Sequence, residues 1–418
     1  MATGLLQDLR YALRQLRKNH CFTAIALITL ALGIGANTAI FSVVNGVLLR
    51  RLPYADADCL ALIWSVSDND KRNQLSYTDI DDYRAQSRAF EDVVAFGNWN
   101  ATFTGAGDTE RIHGMQVSDG YFRLMRVHPL LGRDFAPEEQ TDGKDQVIIL
   151  TYGLWQRRYA GDPAVIGRQI SLGGRPYVVV GVMPQDFPML PMTLVDGPAE
   201  FYRPVAEKHD DKERLSRHLR AIARFKAGVS ISEAQADLNL VNRRLAKLFP
   251  AEYSTSGVRV ITLQGDITAG MRPALLVLLG AIGFLLLIAC VNVSNLLLAR
   301  AATHQKETAI RSALGASRTR LIRQTLTESV LLALGGGVLG ALIAIRGTSA
   351  IVHFGANAIP QLAGVSVDGT VLLFTAGLSI LTGLVFGVVP ALRTSAVSLN
   401  EALKQGARGS SSSHERFQ

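Results

Sequence analysis

The sequence predicts a membrane protein with four transmembrane α-helices and an α+β extracytoplasmic domain carried between the first two. Three observations support this class. Four runs, 22–49, 273–299, 329–345 and 369–392, contain no Asp, Glu, Lys or Arg. A hydrocarbon core about 30 Å thick takes roughly 20 residues of helix to cross, and backbone groups in lipid must satisfy one another. The basic surplus sits beside these runs: residues 50–272 hold 28 Lys/Arg against 29 Asp/Glu, and the rest of the chain holds 15 against 6. Within the 50–272 block, β-rich and helix-favouring segments are mixed throughout.

Residues 1–20 come first. Leu5, Leu6, Leu9, Leu13 and Leu16 recur at helical spacing opposite Asp8, Arg10, Arg14, Arg17 and Lys18. That pattern predicts an amphipathic helix lying in the cytoplasmic interface. The first span, 22–49, has 28 uncharged residues. A signal-peptide core has roughly 7–15, and no cleavage pattern follows, so the span is read as retained. Its "GIGANTAIFSVVNG" carries Gly33, Gly35 and Asn37. Small residues let helices approach closely and membrane amides usually face a partner helix, so these three predict helix packing. Asn292 and Asn295 predict the same for the second span, 273–299. A substrate path is the other reading of these polar groups.

The 50–272 block follows the first span. "LSYTDIDDYRAQS" predicts a helix start, with Ser76 as cap and Asp79 three residues on. Val147–Leu150 reads as a strand, followed by a helix ending near Gly161. "RQISLGGRPYVVVGVMP" reads as a hairpin turning at Gly173 and Gly174. A further strand, a turn at Gly228 and a helix beginning near Ser232 come next. "GVRVITLQ" then returns as a strand leading to the second span.

The connection 300–325 is basic and helix-favouring, broken once at "ALGAS". Gly315 suits the left-handed end of one helix, and Ser317 can cap the next. This predicts a cytoplasmic helical hairpin with a small apolar tip flanked by Lys306, Glu307 and Arg311. A plug for a groove on a soluble partner and an ordinary solvated connector fit that pattern equally. The third span, 326–345, an outward loop, 346–368, and the fourth span, 369–392, complete the membrane part. The tail, 393–418, ends in the low-complexity "RGSSSSHERFQ" and reads as flexible. The bias of Lys and Arg toward the cytoplasm places both termini and 300–325 inside, and 50–272 and 346–368 outside.

Several chemistries are missing from the sequence. It has no G-x-x-x-x-G-K-[ST] phosphate loop, and "GGGVLG" at 335–340 lacks the lysine and reads as a close-packing element. No H-E-x-x-H or G-x-S-x-G occurs. Asp79, Asp81 and Asp82 fit the first turns of a helix better than a catalytic pair. Glu328 lies at the inner border of a span, where snorkelling or a partner cation can satisfy it, so a proton-relay role is weak. No catalytic residue, metal site or cofactor is expected. The basic isoelectric point implies no nucleic-acid partner, because no basic patch exists away from the membrane flanks.

Several stretches resemble FtsX/MacB-type ABC permeases, in their duplicated-permease branch. "KETAIRSALGASRTRLIRQTLTESVLLAL" is similar to that family's stretch between its second and third spans, with Lys306 where the family often has Arg. "ALGIGANTAIFSVVNGVLLRRLPY", "PLLGRDF", "LTYGLWQRRYAGDPAVIGRQI" and "RPALLVLLGAIGFLLLIACVNVSNLLLAR" extend the likeness along nearly the whole chain. The resemblance implies a MacB-like periplasmic core domain at 50–272. It also implies dimeric spans, as a homodimer or a heterodimer with another permease half, served by a MacB-type ATPase in trans. A periplasmic adaptor and membrane lipid are further implied partners. Carried over residue by residue, ATPase contact falls to Lys306, Glu307, Arg311, Ala313, Leu314, Gly315 and Ala316. "LNEALKQGARGSSS" looks like the mid-chain linker of the duplicated branch, which leaves a half-length protein, a truncated product and a fragment open.

The function expected is that of a permease subunit in a bacterial inner membrane. It would couple ATP hydrolysis by a separate ATPase to export or mechanotransmission through the outer domain. The rival class is a membrane-anchored sensor whose outer domain binds a ligand without transport.

Overall fold

The structure is a computed structural model describing residues 2–50, 52–67, 69–104, 109–188, 190, 194–195, 197–253, 256–303, 318–355 and 365–395. The chain divides into two compact units, Met1–Arg50 with Met271–Gln418, and Arg51–Gly270.

The first unit is helical. An N-terminal helix, Ala2–Lys18, precedes span 1, which runs His20–Val44 and continues as a π-helical turn over Asn45–Leu49. Span 2 is Arg272–Thr303, span 3 Arg318–Gly355 and span 4 Gly369–Ser395. All four spans are long and apolar enough to cross a membrane. Span 3 extends beyond the expected 326–345, and the expected loop 346–368 is helical as far as Gly355. The physical reason is that Arg346 is a good helix former, so losing hydrophobicity there does not end the helix. The predicted hairpin tip, with Gly315 and Ser317, lies outside the described residues.

The second unit contains one 13-stranded sheet. Its strands are β1 (Leu60–Ser67), β2 (Arg72–Asn73), β3 (Phe90–Asn98), β4 (Ala101–Thr104), β5 (Glu110–Ile112), β6 (Gly114–Val117) and β7 (Leu131–Gly132). There follow β8 (Val147–Leu150), β9 (Gln169–Leu172), β10 (Arg175–Val182), β11 (Phe201–Pro204), β12 (Arg220–Phe225) and β13 (Ser256–Thr262). The order is β13-β1-β12-β3-β6-β11-β8-β10-β9-β4-β5, with β2 on β1 and β7 on β10.

The period of two along a strand explains how one sheet feeds several cores. In β1, Leu60 and Leu62 join Val94, Phe96 and Ile222 on one face. Ala61 and Ile63 join Val93, Ala221 and Ala223 on the other, under Leu238, Val241 and Leu245 of the helix Ile231–Leu248. The far end of the sheet has its own core of Ile148, Leu150, Ile170, Leu172 and Val179, closed by Leu154 and Trp155 of the helix Tyr152–Tyr159.

Local chemistry sets the boundaries. Ser76 caps the helix Tyr77–Gln86 in a capping box with Asp79. Gly173 and Gly174, at φ 58° and 79°, form the β9–β10 turn, where both central positions need the left-handed region. The later helix is capped by Ser230, not Ser232, because Glu233 stands three residues after Ser230 and closes a capping box. A short helix, Leu263–Ala269, separates β13 from span 2, where a direct connection was expected.

Candidate functional site

The seven residues expected at the tip of the span 2–span 3 connection, Lys306, Glu307, Arg311, Ala313, Leu314, Gly315 and Ala316, lie outside the described residues. The stems that carry this tip are described, ending at Thr303 and resuming at Arg318. An ion pair ties them together: Arg300 Nη1 donates to Glu328 Oε1 at 2.5 Å, with side chains only 13% and 16% exposed. The same guanidinium stacks 5.0 Å above the ring of Phe22 in span 1. Three spans therefore meet at one cation. Asp8, buried in the N-terminal helix, accepts from Arg323 Nε at 2.7 Å and adds a fourth helix to this end.

Further along, span 1 lies against its neighbours through small residues. A Cβ added at Gly35 would stand 2.9 Å from Gly340 O, and one at Gly340 would stand 2.8 Å from Gly35 N. The two backbones touch, which only glycine allows. A Cβ at Gly33 would meet Leu286 at 3.0 Å and Ala289 at 3.4 Å in span 2. Asn37 Nδ2 donates to Gly33 O at 2.9 Å and to Ile282 O at 3.1 Å, so its amide bridges spans 1 and 2. Thr38 Oγ1 lies 3.0 Å from Thr375 Oγ1 in span 4.

Asn292 and Asn295 behave differently. Both are exposed on span 2, and among the described residues neither has a hydrogen-bond partner in the chain. They extend a stripe of Val277, Ala281, Phe284 and Ile288 at helical spacing. Span 2 is also the least covered span, with 17% of its most apolar window buried against 44% for span 1. Among the described residues, these two amides of span 2 thus face no partner helix.

At the opposite end of the bundle, Asn45 opens the π-helical turn and its Nδ2 donates to Asp368 Oδ2 at 3.1 Å. Asp368 Oδ1 accepts from Val371 N at 3.0 Å, capping span 4. π-helical turns concentrate at functional positions, and this one directly precedes the sheet domain in the chain. Nothing in the sequence announced it.

In the sheet domain, the crowded acids are committed to internal partners. Arg214, 2% exposed, donates to Asp82 Oδ2 at 2.7 Å, lies 3.6 Å from Asp79 Oδ1 and stacks 4.0 Å from the ring of Phe249. Tyr253 OH donates to Asp79 as well, and burial, then the Asp79 charge, raise the phenol pKa above its usual range. Asp81 pairs with His209 at 2.9 Å. These contacts join the helix Tyr77–Gln86 to distant loops and leave no carboxylate pair open to a substrate. Among the described residues, no group of three His, Cys, Asp or Glu side chains could hold a metal ion. A cavity of about 260 Å³ lies beside Thr151, Tyr152, Gln185 and Phe187; it is small, and no acid, histidine, lysine or arginine lines it.

Comparison with known proteins adds to this geometry. The family described as MacB-like periplasmic core domain matches residues 23–241, and that described as FtsX-like permease C-terminal matches 279–405. The chain is 23% identical over 383 residues to the macrolide export ATP-binding/permease protein MacB of Bdellovibrio bacteriovorus, covering 90% of this chain and 56% of that one. It is 22% identical over 417 residues to the ABC transporter permease YknZ of Bacillus subtilis, covering 96% and 99%. The solved extracellular domain of the ABC-type transporter YknZ from Gram-positive bacteria aligns with a TM-score of 0.36 and 15% identity, over 48% of this chain and 99% of that one. The chain spans just over half the length of the MacB relative and nearly all of YknZ.

Proposed function

The chain belongs to the family of FtsX-like permeases with a MacB-like periplasmic core domain, and from that premise we propose that it is a permease subunit driven by a separate ATPase. The observation that carries this reading is the junction of Arg300, Glu328 and Phe22 at the base of the 304–317 connection. A partner pushing on Leu314 and its neighbours moves the stems of spans 2 and 3. Because the stems share one partly buried ion pair with span 1 stacked on it, they move as a unit. In the same reading the basic flanks hold this end and both termini in the cytoplasm of a bacterial cell, with the sheet domain on the other side of the inner membrane. ATP-driven movement then reaches the sheet domain through span 1 and its π-helical turn, serving export or mechanical signalling.

A dimer belongs to the proposal. Two amides with no partner among the described residues are costly on an apolar span in lipid, and a second permease unit, identical or related, facing the Asn292/Asn295 stripe would satisfy them. A periplasmic adaptor would act on the sheet domain.

The test is co-purification of the full chain with an ABC-type ATPase subunit from its own cells. The Leu314→Asp variant brings a carboxylate into an apolar contact, which costs several kcal/mol when unpaired. It should lose the ATPase while retaining its own stability and dimer. Unchanged ATPase binding and stimulation in Leu314→Asp would reject the coupling role of this segment.

A further inference from the structure

We propose that a groove between spans 1 and 3 seats one anionic phospholipid, whose phosphate is held by Arg346. This rests on the membrane spans and is independent of how the ATPase couples. The groove has a volume of about 690 Å³ and is walled by Ile28, Leu32, Leu339, Leu342 and Ile343, with Ala31 and Gly347 completing its lining. That size falls within the roughly 300–1,000 Å³ usual for small-molecule sites. The walls are apolar side chains left exposed by the chain itself, so an apolar chain is the occupant they fit. The close approach of Gly35 and Gly340 brings the two helices together beside the groove and shapes it.

Arg346 gives the groove its polarity. Between Glu328 and Asp368 it is the sole Asp, Glu, Lys or Arg. It is exposed and lines the groove, and among the described residues no acid or carbonyl pairs with its guanidinium. Eighteen residues of helix separate it from Glu328, about 27 Å at 1.5 Å per residue. The Arg300–Glu328 pair and Arg346 therefore stand near opposite faces of a hydrocarbon core about 30 Å thick. An arginine at that depth reaches the headgroup layer, and its planar fork matches a phosphate. Apolar walls below an unpaired cation at headgroup level form the complement of a phospholipid: acyl chain in the groove, phosphate at the rim. The lipid belongs to the leaflet opposite the Arg300–Glu328 end. An anionic headgroup is favoured because it brings no second cation to the guanidinium.

Gly347 supplies a clean control. A Cβ added there would meet nothing within 4 Å, so a side chain can start from Gly347, and Gly347→Leu adds apolar bulk to the groove lining without touching the charge.

The experiment is native mass spectrometry of the full chain, delipidated in mild detergent and titrated with dioleoylphosphatidylglycerol or, separately, dioleoylphosphatidylcholine. Wild type should retain one phosphatidylglycerol and hold it several-fold better than phosphatidylcholine. Arg346→Gln should weaken retention roughly tenfold or more, as expected for losing a charge-assisted hydrogen bond, and Arg346→Lys should recover part of it. Gly347→Leu should weaken both lipids. No retained lipid in wild type, or equal retention in Arg346→Gln, overturns the proposal. Loss in Arg346→Gln with full retention in Gly347→Leu also overturns it, because Arg346 would then attract surrounding lipid without a seat.

Discussion

Glu328→Gln is the most informative single change to the junction at the base of the connection. The wild-type pair has a 2.5 Å contact and side chains 13% and 16% exposed. At an effective dielectric of about 20, unit charges about 4 Å apart attract by roughly 4 kcal/mol, an attraction that the desolvation of both ions offsets in part. Removing one member leaves the other charge buried without its partner, which costs about 3–5 kcal/mol in a fully buried pair. The residual exposure, and the hydrogen bond that Gln can still accept from Arg300, place Glu328→Gln at about 2–3 kcal/mol. The exchanged pair Arg300→Glu with Glu328→Arg should recover most of this. It falls short by about 0.5–1 kcal/mol, because the guanidinium is no longer positioned over Phe22. The assay is a double-mutant cycle on detergent-driven unfolding of the full chain, run alongside stimulation of the ATPase. A coupling energy of at least about 3 kcal/mol, with stimulation lost in the single variants and regained in the exchange, is the expected result. If each single variant stays within about 0.5 kcal/mol of wild type, or if the exchange costs the sum of the two, the reasoning about this junction is wrong.

Other perturbations follow the same logic. Gly35→Ala should cost about 1–3 kcal/mol by overpacking against Gly340 O. Gly280→Ala, where a Cβ meets nothing within 4 Å, should be neutral or gain up to about 1 kcal/mol; equal costs in the same unfolding assay would refute the close crossing. Arg214→Ala should destabilise the sheet domain by about 3–5 kcal/mol, because Asp79 and Asp82 lose their buried cation. Its domain-specific unfolding can be followed by tryptophan fluorescence. Asp237 supplies the pH test. Burial raises its pKa, but hydrogen bonds from Ser87, Arg88 N and Ala89 N outweigh this and hold it below the ordinary value. With the folded pKa depressed, its contribution is complete above the unfolded value of about 3.9 and fades as pH falls through the folded one. The stability gap between wild type and Asp237→Asn should therefore narrow as pH drops below about 4, and a gap that widens there would contradict the assignment.

What was legible in the sequence depended on how local the cause was. The spans announced themselves because a charge in lipid is costly and the four runs have none. The Ser76/Asp79 box and the Gly173–Gly174 turn were equally plain, since three or four residues decide them. Sheet order was hidden: β1 lies between β12 and β13, and no short-range pattern encodes pairing across that separation. For Glu328, snorkelling and a partner cation were both open, because Arg300 precedes it by 28 residues and no local pattern joins them. Arg214 reads as one more surface charge until folding surrounds it with Asp79, Asp82 and Tyr253. The helix of span 3 runs past the expected 326–345, because hydrophobicity marks where lipid ends, while helix propensity decides where the helix ends. Asn292 and Asn295 carry the clearest lesson, since an amide's presence in a span signals a partner without saying whether that partner lies in the same chain.

The central claim is that an ATPase engages the 304–317 connection. A photo-crosslinking residue placed at Leu314, or at Ala313, in the full chain tests it most directly in intact membranes. The account predicts an adduct of the chain with an ATPase subunit from these two positions, and none from a probe at Gly173 in the sheet domain. An ATPase adduct from Gly173, or no ATPase adduct from Leu314 and Ala313, would contradict it.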